Sequence, residues 1–183
     1  MSVDTAGTLV LVLLGACVVA GLVAWTPAGR RIWVPPTVAL LAAAALLAAV
    51  AGPVEVAGRG GHTLLVVLAG LVAVVGGGPV TGRVFDLVDR DETPGRSMDR
   101  AGQVLRGGAW IGALERGAIL ASLVAGWPEG LAVVLAVKGL GRYPELRAAE
   151  DGVRTGAAER FIIGTFTSVL WAVACAGVVR LLA

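Results

Sequence analysis

Glu115, Arg116, Lys138 and Arg142 are the residues of this chain whose types and spacing could do chemistry. They fall in or just beyond two hydrophobic stretches, 108–126 and 129–141, that read as a helical hairpin turning near Pro128. Counting equal distances from that turn places Glu115 opposite about residue 141, between Lys138 and Arg142 and within a helical turn of either. Arg116 is rotated by about 100° from Glu115 on the same helix, so one partner does not easily satisfy both. A carboxylate facing cations can serve as an acid or base while Arg116, Lys138 and Arg142 hold phosphate. The same residues can instead form a paired structural network, with Lys138 and Arg142 snorkelling to the inner surface. Glu145, Glu159 and Arg160 bring to seven the charges converging on one half of the last three hydrophobic segments. Thr165, Thr167 and Ser168 could line a pocket there or make ordinary interhelical hydrogen bonds.

The elements that must position these residues are membrane helices. Of the 183 residues 57% are hydrophobic and only 15% charged, and the mean hydropathy is +0.85. The apolar residues come in blocks with almost no charge between them, as membrane spans do. Within such a span a charge costs about 2.5–3.5 kcal/mol at the bilayer centre, which is why the hairpin stands out. Asp4, with no basic residue before Thr8, does not suit a cleaved signal peptide, so the first segment is expected to stay.

Six segments are expected to span: 8–25, 37–52, 62–80, 108–126, 129–141 and 160–182. Pro128 suits the first turn of the fifth and Pro144 closes it. Gly76-Gly77-Gly78-Pro79 predicts a break or kink in the third. With the N-terminus outside, ten arginines fall in inner loops and only Arg59 and Arg180 lie outside. The expected fold is therefore all-α: a polytopic membrane bundle of six transmembrane helices, one domain over 1–183, both termini outside, and a cytoplasmic loop at 83–107. Within that loop Thr93-Pro94-Gly95 marks a turn and Ser97 a helix N-cap. The alanine-rich second segment predicts close helix approach, and Trp25, Trp33 and Trp127 predict interfacial anchoring. The localisation implied is the bacterial inner membrane, multi-pass.

Three stretches then form an ordered set: Gly107-Gly108-Ala109-Trp110-Ile111-Gly112-Ala113-Leu114-Glu115-Arg116, Lys138-Gly139-Leu140-Gly141-Arg142-Tyr143-Pro144-Glu145-Leu146, and Ala158-Glu159-Arg160-Phe161-Ile162-Ile163-Gly164-Thr165-Phe166-Thr167-Ser168. They resemble the C-terminal part of a family of bacterial integral membrane proteins with no assigned activity. The pattern is Gly-x-x-Ile-Gly-x-Leu-Glu-Arg, then Lys-x-x-x-Arg-Phe, then Glu-Tyr/Phe-x-x-Ile-Gly-Thr-x-x-Ser. The resemblance singles out Gly112, Glu115, Arg116, Lys138, Arg142, Glu159, Gly164, Thr165 and Ser168. Relatives carry a His/Asp-containing first segment that this sequence does not show.

Other motifs are weaker. Asp86, Asp89, Asp91 and Glu92 could hold a metal beside phosphate, but the Asp-Gly and Ala-Arg pattern of membrane alcohol phosphotransferases is missing. Gly76–Gly78 could form a phosphate nest. Thr165-Phe166-Thr167-Ser168 is no nucleophile elbow. His62, Cys17 and Cys175 do not cluster, so no metal or cofactor is expected, and the cysteines read as packing. Nucleic acid is an unsuitable partner, because acids dilute the inner arginines and no stacking platform accompanies them.

The leading expectation is a non-enzymatic membrane module whose cytoplasm-facing charged pocket binds an anionic ligand, a lipid head group or a partner. The pocket residues would be Glu115, Arg116, Lys138, Arg142, Glu159, Thr165 and Ser168. Its partners would be membrane lipids, with another membrane protein or a second copy of the chain as further candidates. The alternatives are an intramembrane enzyme acting on a lipid-linked phosphate substrate, or a small carrier or channel. An enzyme needs an open pocket with Glu115 unpaired; a structural network needs Glu115 paired and no cavity; a carrier needs a path to both faces.

Overall fold

The computed structural model describes residues 3–53, 58–88, 108–148 and 151–183. Six helices account for nearly all of them: α1 Val3–Val23, α2 Pro27–Ala51, α3 Gly58–Val88, α4 Gly108–Val124, α5 Glu129–Ala148 and α6 Asp151–Leu182. No strand occurs among the described residues. Each hydrophobic segment of the sequence thus falls on a helix to within two residues at its ends. Four helices (α1, α2, α3 and α6) are long and apolar enough to cross a membrane, which fits a membrane protein. Helix α4 has only 17 residues, and α5 carries Lys138 and Arg142 along its 20.

Helix ends depart from the hydropathy pattern for local reasons. Helix α2 starts at Pro27, well before residue 37, because Thr26 caps it. The Thr26 side chain accepts a 2.9 Å hydrogen bond from the Gly29 N–H, and Pro27 occupies the first turn, where a missing N–H costs nothing. Hydropathy marks where a helix can meet lipid; capping chemistry marks where it begins. Helix α6 likewise starts at Asp151 rather than 160. Pro144 does not end α5, which continues to Ala148. The carbonyl that proline releases belongs to the exposed Leu140, on the outer side of the helix.

The expected break at Gly76–Pro79 does not occur. Helix α3 runs unbroken for 31 residues to Val88, so residues 83–88 are helical and not part of a loop. Residues 89–107, with the expected turn at Thr93–Gly95 and cap at Ser97, lie outside the described residues.

Helix α3 is the centre of the bundle and packs against α1, α2, α4 and α6. The core joins Val10, Leu14 and Cys17 of α1, Leu41, Ala44 and Ala48 of α2, Leu65, Ala69, Val72 and Ala73 of α3, Leu120 of α4, and Trp171, Cys175 and Val179 of α6. Ala44 and Ala48 are completely buried one turn apart, which is how the alanine-rich helix comes close to its neighbours. Both cysteines are free and buried, and the Cys17 thiol donates to the Thr37 carbonyl at 3.3 Å. Outside this core the helices present Leu46, Val50, Leu114, Leu140, Phe166 and Leu170 to their surroundings. So continuous an apolar exterior suits lipid and not water.

Helix α5 stands at the edge and contributes nothing to the central core. It is joined to α4 by a tight turn. Gly126 adopts φ +77, the Trp127 N–H reaches Ser122 O at 2.9 Å, and the Gly126 N–H reaches Leu123 O at 3.1 Å, the paired bonds of a Schellman cap. Gly130 then lets α5 pass close to α4, since a Cβ there would lie 2.7 Å from the Ser122 Cβ.

Candidate functional site

Arg116 is the middle residue of α4, about 12 Å along the axis from either end, and is only 3% exposed. Its guanidinium points at α3. Nε donates to Ala73 O at 2.8 Å, one terminal nitrogen to Val74 O at 2.9 Å, and the other to the Ser168 hydroxyl of α6 at 3.1 Å. Every one of these partners is neutral. The charge is therefore held by a fork of fixed dipoles, a geometry that a planar guanidinium matches well.

The neighbouring carbonyls are used in the same way. The Trp171 indole of α6 donates to Val72 O at 3.0 Å, and the Trp25 indole, in the α1–α2 turn, donates to Val75 O at 3.1 Å. Four successive carbonyls, Val72 to Val75, thus each accept a side-chain bond from outside α3. Successive residues step by about 100°, so these bonds grip α3 around most of its circumference. Pro79 explains one of them: it has no N–H to offer Val75 O, and Trp25 supplies the donor.

The glycines beside Pro79 make the approach possible. A Cβ at Gly76 would lie 2.7 Å from the Trp171 ring, one at Gly77 2.5 Å from Arg116 Nε, and one at Gly78 3.1 Å from the Trp25 ring. The run is a seam for three side chains.

Glu115 turns the other way, as the rotation along α4 requires, and pairs with Lys138 of α5. Their side chains are 12% and 15% exposed, so this pair is well shielded. Lys138 Nζ also stands 5.9 Å from the Phe161 ring centre, and the Arg160 guanidinium 5.0 Å from that of Phe85.

Between these groups lies a partly open cavity of about 400 Å³. Five cationic residues line it: Arg30, Arg116, Lys138, Arg142 and Arg160. No carboxylate lines it among the described residues. Asp86 and Glu115 stand behind two of the cations, with Asp86 Oδ2 3.2 Å from Arg30 Nε in an ion contact that lacks hydrogen-bond alignment. Phe85, Phe161, Ile111 and Pro79 give the cavity apolar walls. Thr165 also lines it, and its hydroxyl oxygen is buried without a hydrogen-bond partner.

Of the residues singled out by sequence, Arg116, Lys138, Arg142, Thr165 and Ser168 come together at this cavity. Glu115 lies behind Lys138 rather than on the wall. Glu159 is exposed and Thr167 half-buried, and neither borders the cavity. Sequence reasoning missed Arg30, Phe85, Phe161 and Trp171. Arg30 counted only towards orientation, yet Gly82, one turn before Asp86, was a signal: a Cβ there would lie 2.5 Å from an Arg30 terminal nitrogen. His62 is exposed at the start of α3, and no cluster able to hold a metal occurs among the described residues. No known family, characterised protein or solved structure matches the chain.

Proposed function

We propose that this chain is a six-span protein of the bacterial inner membrane, with both termini outside, whose cytoplasm-facing cavity binds an anionic group of phosphate type without chemically altering it. The observation that carries this reading is the wall of five cationic residues, with no carboxylate beside them among the described residues. Anions bind where charged and hydrogen-bonding donors converge in a place of low dielectric, and arginine forks suit phosphate oxygens. The Thr165 hydroxyl adds a polar group still lacking a partner.

Support for six spans comes from length and charge. At 1.5 Å per residue α4 is about 26 Å long and α5 about 30 Å, close to a hydrocarbon core of about 30 Å. The arginine bias favours both of them crossing. The resemblance of the last three segments to bacterial integral membrane proteins agrees with this placement.

Catalysis is the weaker reading. Glu115 is paired with Lys138 and set back from the cavity, so among the described residues no carboxylate of the wall is placed to move a proton. A pairing network alone is also insufficient, since it predicts no cavity.

The test is thermal melting of the detergent-solubilised protein with glycerol 3-phosphate and with a short-chain phosphatidic acid. Saturation near a hundredfold above Kd should stabilise the folded state by about 2.7 kcal/mol. The effect should be lost in an Arg142→Gln/Arg160→Gln variant. If neither compound raises the melting temperature of the wild-type protein, the binding reading is wrong.

A further inference from the structure

We propose that the anion is the head group of a phosphate-bearing membrane lipid, which reaches the cavity sideways through the cleft between α5 and α6. This rests on the anion-binding reading above and names its ligand class.

The first observation is the splay of α5 and α6. Only residues 149 and 150 separate them in the chain, yet among the described residues they scarcely touch. Helix α5 follows α4 instead. Across the cleft, Lys138 Nζ faces the Phe161 ring at 5.9 Å, near the outer limit for a cation above an aromatic face.

The second is that both rims of the cleft belong to the cavity. Lys138 and Arg142 line it from α5; Arg160, Phe161 and Thr165 line it from α6. A ligand passing between the helices therefore meets the cationic wall directly.

The third is the surface outside the cleft. Val137 and Leu140 on α5 are 65% and 75% exposed, and Ile162 and Phe166 on α6 are 53% and 64% exposed. The acyl chains of a lipid whose head group sits in the cavity would lie along this surface.

Size agrees. A cavity of about 400 Å³ is much larger than inorganic phosphate needs and falls in the range of organic-ligand pockets.

The experiment uses the full chain in phosphatidylcholine vesicles doped with phosphatidylglycerol that carries a diazirine near the top of one acyl chain. After photolysis, mass spectrometry maps the label. Expected is labelling of Val137, Leu140, Ile162 and Phe166 about tenfold above Val12 and Leu46 on the far helices. Unlabelled phosphatidylglycerol should displace it, and excess glycerol 3-phosphate only weakly. Even labelling of all apolar faces, with glycerol 3-phosphate still raising the melting temperature, would overturn the lipid proposal and leave the anion site standing. Even labelling with no effect of either compound on melting would remove the anion site as well. The labelling map needs no variant, so a poorly folded mutant does not blunt it.

Discussion

Arg116 occupies the groove that Gly77 leaves on α3, with its Nε 2.5 Å from where a Cβ at Gly77 would stand. The glycine and the arginine are thus two halves of one contact between α3 and α4, fastened by the Nε bond to Ala73 O.

Gly77→Ala should therefore destabilise the protein although alanine is the better helix former by about 1 kcal/mol. The methyl group meets the inner part of a side chain tied down at three points. Overpacking of this kind costs about 1–3 kcal/mol. Gly82→Ala on the same helix meets the terminal nitrogen of Arg30, the far end of a long side chain, and should be close to neutral. Melting temperatures in detergent separate the two; equal effects would refute the groove.

At Arg116 itself, methionine should be tolerated better than lysine. Arg116→Met removes the charge and leaves Ala73 O and Val74 O with their own bonds inside α3, so of the three acceptors only the Ser168 hydroxyl loses its partner. Arg116→Lys keeps a buried charge and loses the fork, and an uncompensated buried charge costs about 3–5 kcal/mol. The expected order of stability is wild type, then Met, then Lys. A lysine variant as stable as wild type would show that the fork geometry is unimportant.

Trp25 and Pro79 should be energetically coupled, while Trp171 and Pro79 should not. Trp25→Phe leaves Val75 O without a donor, because Pro79 has none to give. The loss should be about 1 kcal/mol, modest since Trp25 is half exposed. In a Pro79→Ala background the restored N–H should absorb most of it. Val72 O keeps its helical partner in either background, so Trp171→Phe should cost the same in both. Unfolding midpoints of the two double-mutant cycles give the comparison.

For Glu115 and Lys138 the single changes should be worse than the double. Glu115→Gln leaves a shielded lysine without its carboxylate, and Lys138→Gln does the reverse. Either should cost about 3 kcal/mol, and the double variant should recover a large part. Additive losses would mean that the pair contributes nothing as a pair.

Much of this was legible in the sequence. Helix identity followed from blocks of apolar residues, and counting back from Pro128 brought Glu115 within a turn of Lys138, its partner in the structure. The 100° step between neighbours also separated the tasks of Glu115 and Arg116. What could not be read was where Arg116 goes, because its partners at Ala73 and Val74 are backbone carbonyls and every residue has one. The glycine run gave a signal of close approach, and the break expected there does not occur because α3 stays helical through it. Which neighbours come close, Trp171, Arg116 and Trp25, is visible only in the packed structure. Helix α2 extended past its apolar part because Thr26 caps it, a choice that hydropathy does not register.

The carbonyl fork has a consequence for biosynthesis. A chain made from its N-terminus delivers α3 to the membrane before α4 emerges. When Arg116 arrives, the acceptors at Ala73 and Val74 are already in place, and Ser168 joins only later in synthesis. An arginine in mid-helix is a burden of about 2.5–3.5 kcal/mol to a segment inserted alone. With α4 crossing the bilayer as proposed above, α3 would act as a docking template that relieves that burden during insertion. In a permuted chain with α4 and α5 placed between α1 and α2, each helix would keep its proposed direction across the membrane, and Arg116 would arrive before its acceptors.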